Sequence, residues 1–328
     1  MANIFGKRFT LQDFGESHGK AIGGIIDGCP PNVAIDFDFI QSELSRRAPS
    51  NASHSTQRKE SDKVEFLSGI YQNKTIGTPI GFIIRNEDVK IDAQQSTIIK
   101  PSHASYVYKE KYACEDNYAA GRASARLTAC RVVAGAIAKL LLRPLHLEFE
   151  TVVLETGTPT QPGDTVGAKV GCTIRNLPAG LGEPLHDKFD ARLAAAMLSL
   201  NAAKGFEIGT GYAASKMSGL EYNDRQDKNF NFLSNHDGGV QAGITNGNEL
   251  YFTVAFKPIP SLQIPQETID FKGNSIIYKA NNRNDYSVVP RVIPVIEATA
   301  AMVIADFILL HHNLYQYYAK QPIGKKCK

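Results

Sequence analysis

Residues Asp13–Pro31 read DFGESHGKAIGGIIDGCPP, five glycines around one serine and one histidine. Gly15-Glu16-Ser17-His18-Gly19 has the G-x-S-x-G spacing of a serine-hydrolase elbow. Such an elbow needs a strand feeding the turn and oxyanion donors from an earlier strand and loop. Only sixteen residues precede Ser17, too few for both. The glycines serve equally well in a tight turn where backbone approaches a ligand. His18, set between small residues, keeps its imidazole uncovered for proton transfer near neutral pH. Just beyond it, Ile22–Gly28 reads as a strand that opens into the turn CPPN.

Working outward, Asp36–Arg47 reads as a helix with Asp36 as N-cap and Ile40 and Leu44 on one face. Residues 48–62 are polar, a loop of the length that carries function or moves. Strands are expected at Val64–Leu67, Ile80–Arg85, Val166–Arg175 and Glu249–Phe256. Helices are expected at Arg122–Leu142, Asp187–Leu200 and Glu297–His312, the last ending at the pair His311-His312, read as surface or C-cap. No internal repeat is visible. Strands that neighbour one another in sequence, without regular βαβ alternation, favour α+β over a doubly wound sheet. The expected organisation is one domain over residues 1–320 and a short basic tail over 321–328.

Composition narrows the function. The chain has 328 residues, 43% hydrophobic and 21% charged, with a net charge of +3. That charge is too small for an overall field that draws nucleic acid or a membrane surface. Five cysteines without a C-x-x-C pair support neither a disulfide framework nor a zinc ribbon. No histidine has the neighbours of a metal motif, so no metal is expected. The N-terminus lacks the apolar segment of a signal peptide, and the apolar stretch from Ala298 is short and carries Asp306. The expected setting is the reducing cytoplasm.

An anion site must therefore come from local clusters of Arg and Lys. Arg46-Arg47 precede the polar loop and Arg58 lies within it. Arg122 and Arg126 are spaced to share a helical face, with Arg122 where free N–H groups favour an anion. Lys257 closes a strand and Arg283 stands two residues from Asp285. His103, in KPSHASY, is a second loop histidine. Each cluster alone reads as solvated surface; together they read as a pocket for more than one phosphate or carboxylate.

The motifs themselves resemble a known family. GESHGKAIGGIIDGCPP from Gly15, GRASARLTACRVVAGAIAK from Gly121 and RNDYSVVPRVIPVIEA from Arg283 resemble, in order, the three signatures of chorismate synthase. RRAP at Arg46, TQRKESD at Thr56, LNAAKGFEIG at Leu200, SNHDGGVQAGITNG at Ser234 and KPIPS at Lys257 fall between them in family order. The resemblance covers nearly the whole chain. It implies a β-α-β sandwich with helices between antiparallel sheets, usually a homotetramer. It implies a carbon–oxygen lyase that removes phosphate from 5-enolpyruvylshikimate 3-phosphate by 1,4-anti elimination, giving chorismate for aromatic amino acid synthesis. Reduced FMN is required although the reaction is redox-neutral. NADPH or an external flavin reductase is the implied source of electrons.

By motif position, the resemblance gives His18 the protonation of reduced flavin, His103 assistance to the departing phosphate, and Asp285 a place beside flavin N5. Arg46, Arg47, Arg58 and Arg131 fall on the substrate side. Arg122, Ala123, Ser124, Asn201, Ala202, Ala242, Lys257, Pro258, Ile259, Pro260, Ser261 and Arg283 fall at flavin contacts. The chain also departs from the family. Lys100-Pro101-Ser102-His103-Ala104-Ser105 replaces R-P-G-H-A-D, Tyr118 to Thr128 replaces R-G-G-G-R-S-S-A-R-E-T, and Asn284 and Tyr286 flank Asp285. Ser53 stands for an arginine and Ala242 for a glycine, and the segment near 155–165 is short. Two other functions fit less of the sequence: a divergent paralogue that binds flavin or an anionic metabolite without turnover, and a serine hydrolase using Ser17.

Overall fold

The computed structural model describes residues 3–48, 62–87, 97–114, 118–280 and 287–319. Two antiparallel sheets form its outer layers. In the first, the order is Ile4–Phe5, Thr10–Gly15, Ala21–Asp27, Ile80–Arg85, Val64–Phe66. In the second it is Glu148–Thr156, Ala168–Arg175, Leu250–Phe256, Ala203–Ile208. Period-two patterning builds them: Ile80, Phe82 and Ile84 turn inward while their neighbours face out.

Four helices fill the space between. Phe37–Arg47 begins as expected, with the Asp36 carboxylate accepting the Phe39 N–H at 2.9 Å. The central helix, Thr128–Leu141, lies on the first sheet, and the last helix, Val289–Ala319, on the second. These two pack on each other so closely that a Cβ at Gly135 would sit 2.3 Å from that of Ala298. Phe189–Leu198 completes the layer against the last helix. The result is the sandwich of helices between antiparallel sheets.

No internal repeat was expected from the sequence, but the fold holds one at the level of topology. Both halves run strand, strand, helix, strand, small hairpin, strand, long helix, and the four strands of the second sheet follow the order of the first sheet's last four, Ile4–Phe5 being an addition at its edge. The hairpins Ile70–Tyr71/Lys74–Thr75 and Val240–Gln241/Ile244–Thr245 are built alike. Thr75 Oγ1 donates to Pro30 O at 2.6 Å and accepts from Val33 N at 2.9 Å. Thr245 Oγ1 donates to Pro178 O at 2.7 Å and accepts from Leu181 N at 2.9 Å. In sequence only a G-x₅-T-x-G spacing survives, from Gly69 and from Gly239. Geometry fixes those few residues, whereas any apolar set of the right size satisfies the rest.

Two helix boundaries also differ from expectation. Arg122–Leu142 is not one helix: Ala119–Ala123 and Ala125–Leu127 are 3₁₀ turns and the α-helix starts at Thr128. Ser124 is extended and its hydroxyl accepts the Arg126 N–H, an alternative to helical pairing. Arg122 and Arg126 therefore do not share a face. The last helix starts at Val289 and runs to Ala319, with Pro294 inside it, so His311-His312 fall within it. Prolines near its start mimic a boundary in sequence. Its segment Arg291–His311 is apolar enough to cross a bilayer, but 83% of it is buried in the core.

Candidate active site

Ser17 and His18 lie in a turn joining two antiparallel strands, not a strand and a helix. Gly15 takes φ +96° to enter it, and Gly19 N donates to Glu16 O at 3.0 Å to close it. Ser17 is 4% exposed, and its N–H donates to Gly121 O at 3.1 Å. A Cβ on Gly121 would stand 3.0 Å from Ser17 Oγ. The buried serine on a β-turn lacks the elbow's geometry. His18, beside it, is half-buried.

Gly121 thus ties the histidine turn to Arg122-Ala123-Ser124. Asn201 Nδ2 donates to Ala123 O at 2.7 Å, bringing in the end of the fourth helix. Lys257 N donates to Ala202 O at 2.9 Å, and Lys257 Nζ to Ser102 O at 2.8 Å. His103 follows directly, its Nδ1 3.1 Å from the Ser105 hydroxyl. Burial, then the charges of Lys100, Lys257 and His18, bring the His103 pKa down to about 4. Charge on His18 reaches His103, so the two histidines share one electrostatic site. Both halves of the fold contribute to it at the same end.

A cavity of about 440 Å³ adjoins, between the N-terminal strand Ile4–Phe5, the second signature and the helix Phe189–Leu198. Arg122, Ala123, Ser124, Arg131, Arg192 and Asn201 line it. Arg122 pairs with the Asp13 carboxylate and donates to Asp13 O at 3.0 Å. Its Nη1 is buried without a hydrogen-bond partner. Arg131 donates to Ser199 Oγ at 2.8 Å, and burial draws its pKa down, with Asp13 opposing and Arg122 adding to the fall. Arg192 is held by Asp187 and Asp306, whereas Arg131 and the orphaned Arg122 donor fit a phosphate-bearing ligand.

Other expected residues lie elsewhere. Arg46 donates to both carboxylate oxygens of Glu297 at 2.8 Å and to Glu43 at 2.7 Å. Arg47 is 1% exposed and pairs with Asp62 at 2.8 Å. Neither lines the cavity. Ala242 occupies a hairpin tip at φ +52°, at the N-terminal end of the helix Phe189–Leu198. Asn201 follows that helix's C-terminal end, about 15 Å away for ten residues. Of KPIPS, Ile259 O accepts the Thr165 hydroxyl at 2.7 Å, anchoring the segment after Lys257. Arg58, Ser53, Arg283, Asn284, Asp285 and Tyr286 lie outside the described residues.

Sequence reasoning missed four residues that shape the site. Ser105 orients His103, Asp13 holds Arg122, and Asp62 and Asn86 brace the second signature and the histidine turn. Only Ser105 carried a signal, two residues from His103 at a helix start. Among the described residues no cluster of His, Cys, Asp or Glu has the makings of a metal site.

Comparison with known proteins agrees with the motifs. The chorismate synthase family profile matches residues 9–162 and 158–309. The chorismate synthase of Christiangramia forsetii is 45% identical over 94% of this chain and 97% of that protein. Those of Flavobacterium psychrophilum and Bacteroides thetaiotaomicron are 44% and 43% identical, each over 94% of this chain and 98% of the relative. A crystal structure of chorismate synthase superposes with a TM-score of 0.73 at 27% identity, covering 93% of both chains. The chain belongs to the chorismate synthase family.

Proposed function

We propose that this chain catalyses the FMN-dependent 1,4-anti elimination of phosphate from 5-enolpyruvylshikimate 3-phosphate, giving chorismate. The observation that supports the reading is the convergence of His18, from the first signature, and His103, from a separate loop, beside Lys100 and Lys257, next to the arginine-lined cavity. Arg122–Ser124, Asn201–Ala202 and Lys257–Ser261 would hold the flavin, with Arg283 as a further contact that the resemblance implies; Ala242, at the far end of the helix Phe189–Leu198, is not grouped with them. Reduced FMN supplies reducing power that eases loss of phosphate and is regenerated each cycle.

The protein's own groups divide the remaining work. Lys100 and Lys257 favour an anion beside His103, which is neutral before substrate binds. A phosphate dianion placed there opposes the lysines' charge and raises the imidazole's proton affinity. His103 then donates a proton or hydrogen bond to the leaving phosphate. The Ser105 hydroxyl fixes its Nδ1 side and leaves Nε2 for that task. His18 would hold the proton exchanged with the flavin, and Asp285 would supply the second acid that the resemblance implies. Arg131 would hold substrate carboxylate or phosphate, with Arg58 as the further contact that the resemblance implies, while Arg46 and Arg47 are held by their own acids.

We infer that the protein works in the cytoplasm as a homotetramer, with NADPH entering through an outside reductase. The edge strand Glu148–Thr156 exposes Val152, Val153 and Leu154, an apolar surface suited to a neighbouring subunit.

The deciding test of His103 is its alanine variant. His103→Ala is expected to bind FMN as the unaltered chain does and to lose turnover by about 100-fold or more. Unchanged turnover would remove His103 from the mechanism. Flavin binding without phosphate release by the unaltered chain would favour a binding paralogue, and labelling of Ser17 by a fluorophosphonate would revive the hydrolase.

A further inference from the structure

One polar network has no role in the mechanism above, yet it ends on the main chain around His18. Asn86 directly follows the strand Ile80–Arg85. Its side-chain NH₂ donates to Glu16 O at 3.0 Å and to Gly19 O at 2.8 Å, the two ends of the turn. Its backbone N–H donates to Lys20 O at 3.1 Å. Both side-chain partners are carbonyls, so the amide nitrogen must face them and its oxygen must face away. That oxygen accepts from Arg126 Nε at 3.0 Å.

Arg126 is itself fixed. It donates to Arg85 O at 3.2 Å and is paired with Asp62. Asp62 also pairs with Arg47, and all three side chains are at most 5% exposed. Burial works to raise the Asp62 pKa, but Arg47 and Arg126 hold it below the usual carboxylate range. The triad is therefore charged and buried, with its charges paired as buried ions require.

We propose that Asn86, anchored by the buried Arg47–Asp62–Arg126 triad, is a positioning residue that fixes the turn carrying His18 and hence the direction of its imidazole. The turn is already closed by its own hydrogen bond and flanked by paired strands. Asn86 ties both ends of the turn to the strand Ile80–Arg85 and so sets the tilt of the Glu16–Gly19 segment against the sheet. Asn86 is half-exposed, so its loss perturbs folding less than a loss within the triad.

Two variants test this. Asn86→Asp keeps the shape and the acceptor for Arg126 but turns an oxygen toward two carbonyls; Asn86→Ala removes the three side-chain bonds and keeps the backbone bond to Lys20. The turnover arm rests on the proposed elimination. Both variants are expected to keep Tm within about 3 °C while kcat falls roughly 10- to 100-fold and KM for the substrate changes less than about threefold. An altered pH profile of kcat is expected as well. A second arm needs no turnover: the His18 Cε1–H resonance, assigned by its loss in His18→Ala, should shift or broaden in both variants while that of His103 stays. An unmoved His18 resonance overturns the proposal, as does Asn86→Asp with full kcat or a kcat that falls only with the folded fraction. If the unaltered chain shows no turnover, the proposed function fails and the resonance alone decides the role of Asn86.

Discussion

Ser102 and Ala242 adopt φ +54° and +52°, the left-handed region that favours glycine. Both are positions where the family carries glycine in its motifs, and Ser102 directly precedes His103. Ser102 O also accepts from Lys257, so its strain holds a useful carbonyl in place. Ser102→Gly relieves that strain and is expected to stabilise the fold by about 0.5–1 kcal/mol in urea unfolding; a loss of stability would contradict the strain. His103 gives a second test. Its folded pKa of about 4 lies below the unfolded value of 6.5, so the unfolded chain binds more protons between them. This group's contribution to stability is present above pH 6.5 and lost as pH falls toward 4. Inorganic phosphate is expected to raise the midpoint of the His103 ring resonance; an unmoved midpoint would show that the ring does not face the anion. In sequence, His103 was legible as a loop histidine, but its neutral state was not. That state comes first from burial, which only the fold shows, then from the nearby Lys100 and from Lys257 and His18, which are remote in the chain.

Among the elements, the helix Phe37–Arg47 and the strand Ile80–Arg85 were legible because caps and periodicity are local signals. The second signature was not, because a tertiary contact decides it: Gly121 O serves Ser17, and Ser124 caps Arg126. Arg46 and Arg47 show the same limit. Their residue type and place were correct for an anion site, yet buried acids supplied by Asp62, Glu43 and Glu297 claim them. Burial tends to raise the Glu297 pKa, while Arg46 and Lys139 hold it low. Removing the acid from the triad should therefore be severe. Asp62→Asn leaves two buried arginines facing each other and is expected to destabilise the chain by about 3–5 kcal/mol. Because the carboxylate pKa is depressed, its contribution holds above about pH 4 and is lost below it. The variant should accordingly show a shallower acid limb in a stability–pH curve; an equal limb would place the charge elsewhere.

At the scale of the whole molecule, the two halves repeat one topology and meet along the central and last helices, Gly135 against Ala298. Their equivalent loops gather at one end. The histidine turn and second signature come from the first half, Asn201 and Lys257 from the second, and the bonds between them assemble one centre. α+β class and the motif order were legible in the sequence; the duplication was not, since only glycines and a threonine at two hairpins are held by geometry. Elimination at this centre with a reduced flavin is tested by an anaerobic progress curve with chemically reduced FMN and 5-enolpyruvylshikimate 3-phosphate, following flavin absorbance, phosphate and chorismate together. Chorismate and phosphate are expected in equal amounts, with many turnovers per flavin and no net flavin oxidation. Bound reduced flavin with neither product formed would contradict the proposed elimination.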